Sequence, residues 1–433
     1  MPDFSQISPW LAEVDEAAAP LDGDVDVDVA VVGAGYAGLS SALELRGEGF
    51  GVALLEARFA AFGASGRNAG HLTPTIGKDL PTLMRLFGRE RVRGLVHLVD
   101  TAIRHVESLI ETLAIDCHYE PVGNVVAAVH PRQYKSLDRA AMAAAAYGVP
   151  GEILDPQDMR RRGLPSSFLR GYLEPHGGFL HPGRYARGLR RAVLNAGVAL
   201  YEETPVRRLE AGSPAVLHTD RGRVRARYVV IATNAFTPGL GILRSTVLPV
   251  YVQLFLTEPL TDTQLGRVDW HGREGIYTAH EMLESYRLTS DNRIVGGAKH
   301  VRYGYGGRVF ERHDPVIAAS LDRVFRDRFP ELSDVKIAQH WGGPIAFALD
   351  FLPVVGRRGN VLHAVGYAGH GLALASYAGR MVADLLLERD GPGAALWTRR
   401  ALPLPPEPLR WLVVRGLTAM FGRMDRKADE RSD

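Results

Sequence analysis

Six consecutive residues, Gly33-Ala34-Gly35-Tyr36-Ala37-Gly38, have the spacing of a phosphate-binding turn. Gly33 permits the tight turn, Gly35 lets the backbone approach a pyrophosphate, and Gly38 lets the following helix pack close to its strand. The first N–H groups of that helix then point at the phosphates. Further on, Glu56 closes an apolar run and is placed to accept hydrogen bonds from ribose hydroxyls, with Ala57 and Arg58 beside it. Arg58 alone would suit a 2′-phosphate, but the acid at 56 argues against NADP. The chemistry is therefore dinucleotide binding, and the motif leaves NAD and FAD open.

The elements that must position these residues are legible around them. Val25–Val32 alternates and then runs apolar, as a buried parallel strand does when its first turn lies at the surface. LSSALELRGEG, after Gly38, reads as a helix ended by glycine, and Gly51–Leu55 as a second strand. A second small-residue loop follows, Gly63-Ala64-Ser65-Gly66-Arg67-Asn68-Ala69-Gly70-His71, with room for backbone contact to a bulky ligand.

That loop resembles the flavin-contacting loop of the D-amino-acid oxidase superfamily, the group that holds glycine oxidase, sarcosine oxidase and gamma-glutamylputrescine oxidoreductase. Two further segments are similar to the same family. Phe179–Tyr185 leads into a helix over 186–196 and a strand at 197–201, with Pro205-Val206 opening a hairpin; Arg227–Ala235 then resembles the family's second cofactor strand and its turn, at Thr233 and Asn234. Near the C-terminus, Asn360–Val365, the turn Gly366-Tyr367-Ala368-Gly369-His370-Gly371 and a helix over 372–387 resemble the closing motif. The resemblance implies FAD as cofactor. It places Ser65, Gly66, Arg67, Asn68, Ala69, Gly70 and His71 along the flavin and its pyrophosphate, Val206 at the adenine, and Gly366, Gly369, His370, Gly371 and Leu372 near the isoalloxazine.

The implied fold class is α/β. A Rossmann-like FAD-binding domain is assembled from 25–85, 175–245 and 340–392, and a mixed β-sheet substrate domain from 86–174 and 246–339, in the arrangement of the glutathione-reductase-2-like fold. Residues 393–433 are an extended proline-rich linker and an amphipathic helix. Leu409, Leu412, Val413, Leu417, Met420, Phe421 and Met424 recur there at helical spacing among Arg410, Arg415, Arg423, Arg426 and Lys427. Such a helix either docks on its own globule or lies on a membrane surface.

Composition narrows the partners. Lys+Arg is 51 and Asp+Glu 49, a net charge of +2, without the basic bias of a nucleic-acid binder. The single cysteine, Cys117, cannot build a disulfide or a thiolate metal site, and a cytoplasmic, reducing setting is expected. The N-terminus has neither the basic nor the apolar region of a signal peptide.

The resemblance implies oxidation of a C–N bond by hydride transfer to the flavin, giving an imine that hydrolyses. Oxygen or a quinone accepts the electrons. His370 is the first catalytic candidate, and Tyr251, Tyr286 and Trp341 are candidate walls around an amine. Arg287 is a candidate for holding an acidic group, and His71 is a further loop candidate and a point for a covalent flavin link. Amino-acid-oxidising relatives carry a cation on or just after the Gly-His-Gly turn. This chain has Gly369 and Ala373 there, which turns the expectation toward an amine or polyamine-like substrate. The rivals are an amino-acid oxidase anchored by Arg287 and a flavoprotein that serves as a binding factor without turnover.

Overall fold

The computed structural model describes residues 4–430. Its first sheet is built on Val25–Val32, paired in parallel with Val52–Leu55 on one side and Arg223–Ile231 on the other. Ala199–Tyr201 and Val361–Val365 extend it in parallel, and Val354–Arg358 closes one edge antiparallel. Burial along Val25–Val32 changes from alternating to continuous, as its sequence predicts. The helix after the glycine turn spans Tyr36–Gly47 and so starts three residues before the expected Leu39, because Gly35 is already its N-cap and Gly38 lies in its first turn.

The second sheet runs in the order Ile337–Phe347, Leu248–Thr257, Ile294–Ala298, Glu284–Leu288, Gly275–Thr278, Asn124–Ala128, Arg170–Glu174 and Glu152–Leu154. Its core is aromatic, with Phe168, Phe255, Tyr286, Phe325 and Phe329 in mutual ring contact.

Two segments cross the boundaries expected from sequence. The helical run Leu80–Thr112 is broken at Gly88 (φ +76), and the helix after the break buries Val92, Leu95, Leu98, Val99, Ala102, Ile103 and Val106 in the core of the first sheet, together with Leu39 and Met381. These positions recur at helical spacing and form one stripe, so the helix belongs with the first unit rather than starting the second at 86. Conversely, Ile337–Phe347 pairs along its length with Leu248–Thr257, which carries the second sheet past residue 340. The single helix expected over 372–387 is two, Gly371–Ser376 and Ala378–Leu386.

The terminal helix, Leu409–Asp429, docks on the second unit. Both oxygens of the buried Asp425 accept backbone N–H groups, from Glu281 at 2.8 Å and Met282 at 3.0 Å. Asp429 pairs with Lys299 and Arg328, which also hold the buried Glu284. Among the described residues, no helix is long and apolar enough to cross a membrane.

Candidate active site

A cavity of ≈ 590 Å³ is lined from both sheets and by the loops at the end of Val25–Val32. At one end it is mostly backbone. Gly33 has φ +97, a conformation that favours glycine, and donates its N–H to the Leu55 carbonyl at 2.8 Å. The Glu56 carboxylate accepts the Ala34 N–H at 2.8 Å and the Arg58 N–H at 3.0 Å. Burial pushes that carboxyl above its ordinary range, and these two N–H groups oppose the shift. A Cβ on Gly35 would stand 2.9 Å from the Ser65 Oγ, which accepts the Tyr36 N–H at 2.9 Å. Ala57, Val206, Thr233 and Asn234 also line this end. An acid held at a strand end, a helix N-terminus capped by a glycine rather than a side chain, and a glycine cradle fit the ribose and pyrophosphate of a dinucleotide.

The loop after it is pinned by its own side chains. Asn68 donates to the Ser65 carbonyl at 2.8 Å and accepts the Gly70 N–H at 2.8 Å. Arg67 donates to the carbonyls of Phe62 (2.8 Å) and Gly342 (3.2 Å). Two indoles hold the same strip from behind, Trp10 on the Asn68 carbonyl and Trp341 on that of Arg67. Arg67, Asn68, Ala69, Gly70 and His71 therefore present a fixed surface to the cavity.

Two neutral imidazoles mark the other end. The Asn124 amide donates to the Leu72 carbonyl at 3.1 Å, which turns its Oδ1 toward the His71 Nδ1, also at 3.1 Å. His71 thus donates through Nδ1, and its buried Nε2 has no partner. Burial, then the nearby Arg287 charge, pushes its pKa down to about 3 against a weaker pull from Asn124, so the Nε2 carries a lone pair at neutral pH. His370 has its Nδ1 3.1 Å from the Ala368 carbonyl, which can only accept, so its Nε2 is bare as well. Burial again holds this imidazole below its ordinary range. Gly369, Gly371 and Leu372 line the cavity beside it.

Several expected site residues lie elsewhere. Tyr286 is fully buried in the aromatic core and donates to Glu284 at 3.0 Å. Tyr251 is buried on the opposite strand face from Val250 and Val252, which do line the cavity, and its hydroxyl donates to Gln253 at 3.2 Å. Arg287 is buried outside the cavity; its guanidinium donates to the carbonyls of Ala69, Leu288 and Leu180 and stacks on Trp10 and Phe179. It secures the loop from behind and is not available to a substrate carboxylate. Trp341 has the supporting role already described. Gly38, Gly66 and Gly366 pack rather than line: a Cβ on Gly38 would collide with the Gly33 carbonyl, one on Gly66 with that of Ala61, and the Gly366 N–H is held by Asn234 at 3.0 Å.

Sequence reasoning missed a wall of the cavity. Val414, Leu417, Thr418 and Phe421 of the terminal helix line it, with Lys78, Tyr277, Glu281 and Phe351. The Lys78 ammonium lies 4.9 Å from the ring centres of both Phe351 and Phe421 and 3.0 Å from Glu281. The helical spacing of Val414, Leu417 and Phe421 was the available signal; nothing in the sequence singles out Lys78.

The chain as a whole is similar to known proteins. The family model DAO, described as FAD dependent oxidoreductase, matches residues 28–385. Gamma-glutamylputrescine oxidoreductase of Escherichia coli is 33% identical over 373 residues, 84% of this chain and 85% of that protein. The fold is similar to that of glycine oxidase from Geobacillus kaustophilus, with a TM-score of 0.74 at 23% identity over 87% of this chain and 99% of that one. It is similar also to that of L-proline dehydrogenase from P. horikoshii, with a TM-score of 0.71 at 20% identity over 85% and 94%.

Proposed function

The chain belongs to the DAO family of FAD-dependent oxidoreductases, and on that footing we propose that it oxidises an amine bearing no carboxylate on the reacting carbon, to an imine that water hydrolyses. The bound flavin supplies the acceptor for the hydride leaving the carbon beside nitrogen. Gly33, Gly35 and Ala37 hold the pyrophosphate, Glu56 the ribose, and Val206 the adenine; Arg67 to His71 and Gly369 to Leu372 frame the ring system.

The observation that carries the substrate class is that, among the described residues, both lysines in the reaction half of the cavity are held in ion pairs and the one arginine is turned onto backbone carbonyls. Lys78 is on Glu281, Lys299 on Glu284 and Asp429, and Arg67 on two carbonyls. A buried carboxylate without a partner costs several kcal/mol. Gamma-glutamylputrescine, for which the E. coli relative is named, is putrescine capped at one nitrogen, an amine of the proposed kind.

The bare Nε2 of His370 accepts an N–H group of the neutral amine and aims its lone pair, and His71, whose own Nε2 is buried, forms the wall beside it. The apolar surroundings favour that neutral form over the ammonium. With a pKa of about 3, His71 is not a strong base, and the substrate proton leaves to water.

Anaerobic flavin bleaching tests this reading. Putrescine should reduce the flavin at least about tenfold faster than ornithine, a difference of about 1.4 kcal/mol in the transition state. Faster bleaching by ornithine, glycine or sarcosine would replace the amine with an amino acid. An external acceptor, oxygen or a quinone, closes the cycle, and the rate at which colour returns with each tells them apart. The setting is cytoplasmic, with the terminal helix as the contact to the inner face of a membrane.

A further inference from the structure

The terminal helix is apolar on two faces, and only one of them is covered. Inward it carries Val414, Leu417 and Phe421 against the cavity. Outward, Leu409, Leu412, Met420 and Met424 are 52%, 56%, 46% and 49% exposed. Arg415, Arg423, Arg426 and Lys427 stand exposed among them. The two acids of the helix are engaged inward, Asp425 on backbone N–H groups and Asp429 on Lys299 and Arg328; Glu430 stands one residue past its end. The family match ends at residue 385, so this helix lies outside the segment shared with the family model.

An outward face of a docked helix ordinarily reads polar. Here it joins flexible apolar side chains to cations and lacks acids within the helix. A second copy of the same face would set cation against cation, which disfavours self-pairing. A surface of acyl chains under anionic headgroups satisfies both components: the leucines and methionines enter the acyl boundary while the arginines and lysine meet phosphates. We propose that the outer face of Leu409–Asp429 rests on an anionic lipid bilayer, which sets the cavity wall formed by Val414, Leu417 and Phe421 one helix thickness from the membrane. The proposal names the lipid partner of the peripheral contact assigned above and rests on that assignment, but not on the choice of substrate.

The test uses the full-length, FAD-loaded protein and flotation with vesicles of phosphatidylcholine alone or mixed with phosphatidylglycerol. The wild type should float with the mixed vesicles at least about tenfold more than with the neutral ones, and less as salt is raised. The double variant Leu412→Glu/Met420→Glu should lose that flotation while keeping its flavin spectrum and its bleaching by amine without lipid. No flotation of the wild type, equal flotation on neutral vesicles, or unchanged flotation of the double variant overturns the proposal. So does light scattering that shows a wild-type dimer split by the double variant, since the face would then be a self-contact. Bleaching without lipid reads the amine assignment separately, so failure of one is distinguishable from failure of the other.

Discussion

The two ends of the cavity are built in different ways. The nucleotide end is mostly backbone: the turn at Gly33, the N–H groups of Ala34 and Arg58 on Glu56, and the helix start at Tyr36 all come from one stretch of about one βαβ unit. The reaction end is side chains from distant segments: His71, Tyr277, His370 and Phe421, held by Asn124, Ala368 and Asp425. Backbone sites need glycines and acids at fixed intervals, and those intervals can be read. Side-chain sites need partners that only the fold brings together.

The largest effect should come from breaking the nucleotide end. Gly35→Val puts a branched side chain where even a Cβ would stand 2.9 Å from the Ser65 Oγ, and where a pyrophosphate must approach. The purified variant should carry no flavin, read from its absorbance near 450 nm. A fully loaded variant would show that the turn is not the phosphate site.

The contrast also explains what was legible. The strand Val25–Val32, the helix after it, and Glu56 follow from local patterns, and the structure has them within a few residues. Tyr286 and Tyr251 were singled out by residue type, but period 2 decides which face each occupies, and the sequence does not say which face meets the cavity. Arg287 is the clearest case. An arginine on a strand suggested a carboxylate anchor, whereas the side chain is buried and its donors satisfy the carbonyls of Ala69, Leu180 and Leu288. His71 was the weaker of two histidine candidates because its lock, through Asn124 to Leu72, spans more than fifty residues of chain.

Breaking that lock should leave the nucleotide end intact. His71→Leu loses the contact with Asn124 and reshapes the wall beside His370, so it should keep FAD and slow its anaerobic reduction by the favoured amine by about tenfold, about 1.4 kcal/mol. His71→Gln retains a side-chain N–H for Asn124 and should recover part of the rate. A purely structural role for His71 would instead lower flavin content and thermal stability in both variants and leave the rate per bound flavin unchanged.

The two ends should also answer acid with opposite signs. The pKa of His71 falls from an ordinary 6.5 to about 3 in the folded chain, so its neutral form is favoured there. The stability it contributes is present above pH 6.5 and is lost as pH falls toward 3. At pH 5 that loss is about 2 kcal/mol. Glu56, whose carboxyl is raised by burial, behaves inversely: its contribution is present below its ordinary value and fades as pH rises through the folded one. Urea unfolding of His71→Leu should therefore show a shallower decline between pH 7 and 5 than the wild type. Parallel curves would mean that His71 is protonated in the folded protein. His181 and His363, each lowered to about 4 chiefly by burial, act in the same direction and remain in both proteins.

The smallest effect should sharpen the reaction end rather than break it. Phe421 joins the cavity from the terminal helix, and its ring and that of Phe351 flank the Lys78 ammonium. Phe421→Ala removes apolar wall and one of two ring contacts to that cation, but leaves His71, His370 and the backbone of the nucleotide end untouched. The half-buried cation–π contact steadies Lys78 rather than the amine, whereas lost apolar wall, at about 25 cal/mol per Å², should raise KM for the amine by up to roughly tenfold. The maximal rate of flavin reduction should change little, because the groups that aim the amine remain. A fall in that rate at constant KM would put Phe421 against the reacting carbon instead of along the route to it. No change in either would mean that the helix covers the cavity without touching what binds there.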